Sequence, residues 1–162
     1  MTIDWNAILN GSIAFILLIV LRALLDLKLA QFSVKWLSWL PLRNFFREKP
    51  TQISGQWDQV WGAADSPSFE SEVDRHSHPE IKQLGSYCYG EFISKGVTYV
   101  VFGRVIGDYY VGDWYDKGDP KGYFGAFQLQ IHDSKNMKGR WVGHSKAVHE
   151  VKGDKWVWRK IS

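Results

Sequence analysis

This chain is short of the residues on which many catalytic and scaffold chemistries depend. Its 162 residues include a single cysteine, Cys88, so no disulfide can form within the chain and no paired thiols are present to hold a metal. There is no Walker A loop, no Gly-x-Ser-x-Gly turn and no His-Glu-x-x-His pair. No catalytic residue, cofactor or metal is therefore expected. Glycine is nearly missing before Pro50, where only Gly11 occurs, and tyrosine is missing there altogether; fourteen of the fifteen Gly and all seven Tyr follow. Two physically different regions meet near Pro50, and the length allows one domain of ordinary size, not two.

Charge is absent from Trp5 to Leu21, and Ile13 to Val20 is purely apolar. A helix continued to Leu25 would be about 31 Å long, enough for a hydrocarbon core of about 30 Å. A cleaved signal peptide would carry a basic start and a small-residue cleavage site, but here the start carries Asp4 and the run is followed by Arg22-Ala23-Leu24-Leu25-Asp26. Residues 1–25 thus read as a transmembrane anchor, with a buried core helix as the plainer alternative. Residues 22–49 carry +4 while residues 50–162 are neutral, so the positive-inside rule places the C-terminal domain in the cytoplasm. That neutrality disfavours duplex nucleic acid as a partner.

In residues 26–49, Phe32, Trp36 and Trp39 continue a spacing of three and four that starts at Leu25 and Leu29 and ends before Pro41. This period predicts an amphipathic helix, suited to a membrane interface on an anionic leaflet. A self-association seam and a second membrane pass compete with that reading. After Pro50, short β-rich runs alternate with Gly, Asp and Asn turns. Strands are expected at Ile53–Trp61, Glu80–Leu84, Ser86–Ile93, Val97–Ile106, Tyr109–Tyr115, Gly122–His132, Met137–His144 and Lys155–Ile161. Eight antiparallel strands in a meander leave no edge if the first meets the last, so the expected fold is all-β: an eight-stranded up-and-down barrel over residues 50–162, with the transmembrane and interfacial helices before it. Such a barrel is either filled by side chains or holds one small ligand.

Nine Trp is the unusual number in the composition. Three follow a glycine by two positions, in Gly55-Gln56-Trp57, Gly112-Asp113-Trp114 and Gly139-Arg140-Trp141. Glycine permits sharp coiling, and a Trp two residues on fills the same face. The first triplet resembles the Gly-x-Trp signature of lipocalin-type barrels, in which a basic residue of the last strand covers that Trp; the resemblance implies that Arg159 packs on Trp57. Among polar residues, His76 and His78 lie two apart with Asp74 and Glu80 nearby; a metal site competes there with solvated loop histidines, and the latter reading is taken because no further ligands follow at zinc-site spacing. Cys88 reads as a small buried hydrophobe. Arg104, Tyr110, Trp114, Arg140, Trp141 and His144 combine flat aromatics with cationic donors, the equipment for stacking a base and neutralising a phosphate. Against this, Arg140 and Trp141 are adjacent and must point to opposite sides of a strand.

As an arrangement, the apolar segment, the junction Trp36-Leu37-Ser38-Trp39-Leu40-Pro41-Leu42-Arg43 and a barrel containing Gly122-Tyr123-Phe124-Gly125-Ala126-Phe127-Gln128-Leu129 and Gly139-Arg140-Trp141-Val142-Gly143 resemble the membrane-anchored β-barrel effectors of bacterial cyclic-oligonucleotide anti-phage systems. That resemblance implies an inner-membrane homo-oligomer whose cytoplasmic barrel binds a cyclic oligonucleotide and couples it to membrane disruption. The family has two membrane helices, whereas this chain has one apolar span and one amphipathic segment. The contrasting expectation is a membrane-tethered interaction module with a solid aromatic core and no ligand.

Overall fold

Strand alternation decides which residues enter the interior, and nine strands follow from it in the computed structural model, which describes residues 15–18, 29–40, 50–64, 71–145 and 149–161. They are β1 (Gly55–Trp61), β2 (His76–Ser77), β3 (Glu80–Leu84), β4 (Tyr87–Ser94), β5 (Val97–Ile106), β6 (Tyr109–Asp116), β7 (Tyr123–Asp133), β8 (Asn136–Ser145) and β9 (Glu150–Lys160). All pairings are antiparallel, each strand from β3 to β9 lies beside the next, and β1 pairs with β9. The barrel is therefore closed. β2 and β3 pair with successive parts of β1, at Gln59↔Ser77 and at Gly55↔Ile81, so they form one strand broken around Pro79. Counted that way, the barrel has the eight strands expected.

The interior is filled. Trp57, Trp158, Tyr110, Leu129, Met137, Val101 and Ile81 are fully buried, joined by Phe92, Phe127 and Trp156. Their rings pack edge to face, with Tyr110 and Phe127 centroids 4.7 Å apart, Phe127 and Trp156 5.5 Å apart and Trp57 and Trp158 6.3 Å apart. Aromatic pairs in such geometry add about 0.5–1.5 kcal/mol beyond the burial of their area. All three glycine-linked tryptophans point inward, as the parity argument requires. Trp114 lies across two neighbouring strands because Gly125 and Gly143 leave the space; a Cβ at Gly143 would clash with Cζ2 of the Trp114 ring.

The two ends of the barrel are closed differently. At one, the segment before β1 folds under the core: Ile53 is fully buried, its N–H donates to Gln83 Oε1 at 2.8 Å, and its carbonyl accepts Trp57 Nε1 at 2.7 Å. At the other, Trp61, Tyr99, Trp114 and Trp141 are only partly buried.

Three expectations are corrected. The expected transmembrane helix is not supported: among the described residues no helix is long and apolar enough to cross a membrane. Of residues 1–25 only 15–18 are described, as exposed helix; the rest of that expectation lies outside the described residues. The amphipathic helix exists as α1 (Leu29–Leu37), but its position is set by the barrel and not by its apolar stripe. Val34 is buried among Tyr89, Val100, Leu84, Phe102 and Tyr115 on the outer wall, while Phe32, Trp36 and Trp39 are 60%, 60% and 74% exposed. Lastly, Arg159 does not cover Trp57. It is exposed, paired in register with Asp58, and the cation over the Trp57 ring is Lys160, with Nζ 5.9 Å from the centroid. The expected role shifts by one residue because only Lys160 shares the inward face of Trp57.

Candidate functional site

The six residues grouped as a ligand site divide between the two faces of the wall. Tyr110, Trp114 and Trp141 point inward; Arg104 and Arg140 are exposed on the outside, and His144 lies against Phe124 on the outer face, centroids 5.5 Å apart. Trp114 and Trp141 are brought together, 5.8 Å apart at 85°. Tyr110 lies deeper, and burial, followed by the neighbouring Cys88, pushes its phenol well above its ordinary pKa. No guanidinium reaches the interior rings, so stacking and phosphate neutralisation cannot be combined within this set. Cys88 is fully buried, and burial raises its thiol pKa, which keeps it an unreactive thiol.

What the inward set does form is an aromatic chain across the less closed end. Trp61 meets Trp141 at 5.9 Å and 88°, Trp141 meets Trp114, and Trp114 meets Tyr99 at 6.1 Å and 61°. Antiparallel order brings them there: Trp61 and Trp114 end upward strands, Trp141 lies in the second half of another, and Tyr99 begins a downward one. Trp114 Nε1 donates to the Val142 carbonyl at 3.2 Å, whereas the buried Trp141 Nε1 has no hydrogen-bond partner. Burial and then the Asp116 charge push the Tyr99 phenol up to about 12.

The second feature is the docked helix, which is organised by a carboxylate that sequence reasoning did not single out. Glu91, facing outward on β4, accepts Lys35 Nζ at 2.8 Å and Lys117 Nζ at 3.0 Å, and also the Tyr89 hydroxyl. Burial pushes the Glu91 carboxyl up, but these three donors outweigh it and hold it at about 2. Tyr115 OH donates to Gln31 Oε1 at 2.6 Å, and Lys35 also lies over the Tyr89 ring at 5.4 Å. Gln31, Val34 and Lys35 are spaced at three and four and share one side of the helix. The apolar stripe is therefore turned outward by polar contacts that the barrel wall supplies. Only the position of Glu91 on the outer face of β4, opposite Lys35, could have signalled this, and that pairing joins residues 56 positions apart.

No known family model, curated protein or solved structure matches this chain.

Proposed function

We propose that the chain is a non-catalytic β-barrel module that rests on the cytoplasmic face of a bacterial cell membrane through the outward face of α1. The orientation of that helix carries the reading. Phe32, Trp36 and Trp39 are held away from the barrel while Gln31, Val34 and Lys35 anchor the opposite side. Contiguous exposed aromatics mark an interaction surface, and Trp and Phe beside lysines suit the headgroup boundary of an anionic bilayer. The +4 balance of residues 22–49 adds electrostatic attraction, about 1 kcal/mol for each basic residue near such a surface. A filled barrel then serves as a rigid body held at the membrane.

The test is co-sedimentation of the full chain with phosphatidylcholine vesicles, with and without phosphatidylglycerol. Binding to the anionic vesicles is expected, falling with salt. Since burying one aromatic is worth about 1.5–3 kcal/mol, W36S should weaken it roughly tenfold or more. Absence of binding, or full binding by the F32S/W36S/W39S variant, overturns the reading. So does a concentration-dependent dimer that covers this face and ignores vesicles.

A second reading, the cyclic-oligonucleotide receptor, is favoured by one observation: the buried Trp141 Nε1 lacks a partner beside Trp61 and Trp114, at the partly open end. A ligand carbonyl or ring nitrogen would accept from it. Calorimetry of the full chain against cyclic di- and trinucleotides tests this, with heat that disappears in W141F supporting it and no heat from any of them rejecting it.

A further inference from the structure

On the outer wall, β1 and the segment of β2 gather three metal-ligating side chains, Asp58 from one and the near neighbours His76 and His78 from the other. Asp58 Oδ1 lies 3.5 Å from His78 Nε2 and forms a close pair with His76 Nε2. One ligand atom from each of Asp58, His76 and His78 falls within 4.8 Å of the others, and the two imidazole centroids are 5.1 Å apart. In tetrahedral zinc sites the ligand bonds are about 2.0–2.2 Å, which separates the ligand atoms by roughly 3.3 Å. The cluster therefore approaches the spacing of a three-ligand site, and a small opening of the Asp58–His76 pair completes it.

The backbone beneath is already fixed. Asp58 sits between Trp57 and Gln59, both fully buried. His76 and His78 flank Ser77, which points inward and accepts a hydrogen bond from Gln59 Nε2, and Gln59 Oε1 in turn accepts Trp156 Nε1. Pro79 follows, buried, with its carbonyl accepting the Trp57 N–H at 3.0 Å. Alternation about Ser77 places both imidazoles on the same outer face as Asp58. Ligands held by anchored strands lose little freedom on binding, which is the condition for a preformed site.

We infer that Asp58, His76 and His78 form a binding site for a divalent transition metal, and that zinc fills it with water or an external ligand in the fourth position. Two imidazoles with one carboxylate suit zinc, nickel or copper and exclude calcium and magnesium, which take oxygen ligands. Arg159, exposed beside Asp58 on β9, opposes the ion, while Glu80, two residues beyond His78, offsets that charge. The consequence is mechanical. β1 and β2 share only the register pairs Gln59↔Ser77 and Val60↔His76, so a metal bridging them staples a ladder as short as that of β1 and β3 and shorter than the rest.

The experiment is calorimetric titration of the full chain with zinc chloride alone near neutral pH, alongside the thermal midpoint. One zinc per chain and a raised midpoint are expected. D58N and, separately, H76Q/H78Q should each weaken binding at least about tenfold, while H144Q/H149Q, which removes the other close imidazole pair, should leave it unchanged. The exposed positions of His76 and His78 keep that variant folded, and an unshifted zinc-free midpoint verifies it. Cobalt in place of zinc should show the intense visible bands of four-coordination, lost in H76Q/H78Q. Absence of one-to-one binding, or its loss only in H144Q/H149Q, overturns the assignment.

Discussion

The inside and the outside of the wall use the same strands for opposite purposes. Inward positions hold interlocking Trp, Tyr and Phe with Cys88 and Gln59 among them, and neighbouring strands meet where glycine allows. Outward positions carry the separable chemistry: Glu91 with its three donors, the Asp58 pair of histidines and the seat of α1. The difference teaches that this barrel is a scaffold whose function is displayed on its surface. An interior change should therefore disturb everything at once, while an outer change should remove one property and leave the barrel standing.

The largest effect is expected from G143V, which drives a side chain into the Trp114 ring and should leave no cooperative thermal transition. W158A comes next. It empties a fully buried position and should cost about 3–5 kcal/mol in denaturant unfolding. On the outside, E91Q removes the charge that holds Lys35 and Lys117, so hydrogen exchange in α1 should accelerate by the equivalent of about 1–3 kcal/mol while β5 to β9 stay protected. Acid should reproduce that loosening in the parent chain. Glu91 has its carboxyl depressed from 4.5 to about 2, so its contribution is complete above pH 4.5 and is lost as pH falls towards 2. The smallest effect belongs to W36S, whose exposed ring should change stability by no more than about 0.5 kcal/mol. Equal losses from E91Q and W158A throughout the barrel would erase the distinction between the faces.

Much of the interior was legible because period-two alternation is local. Seven of the expected strands begin or end within a residue or two of those observed; β9 starts at Glu150, five residues early, because Glu150-Val151-Lys152-Gly153-Asp154 carries no apolar alternation. The outer features depend on neighbours across strands. Asp58 meets His76 and His78 only through the β1–β2 ladder, and a helical period reports that α1 has two faces without saying which one the wall accepts. Parity could be read for Arg140 beside Trp141, and it also sets Lys160, not Arg159, on the inward face with Trp156 and Trp158; the register of β9 on β1 then places Lys160 opposite Trp57. The apolar run of residues 1–25 has the length of a span, but the only part described, 15–18, supplies no helix of that length.

The seam where β1 meets β9 also sets the order of events in folding. Its pairs, from Trp57↔Lys160 to Trp61↔Trp156, join the two ends of the barrel sequence, and the Trp156 to Gln59 hydrogen bond crosses it inside the core. Hairpins β4–β5 through β8–β9 can form as local units, whereas this last closure carries the entropy of the whole intervening loop. Ring closure is then the slow step, and the core stays incomplete until the final strand has been synthesised.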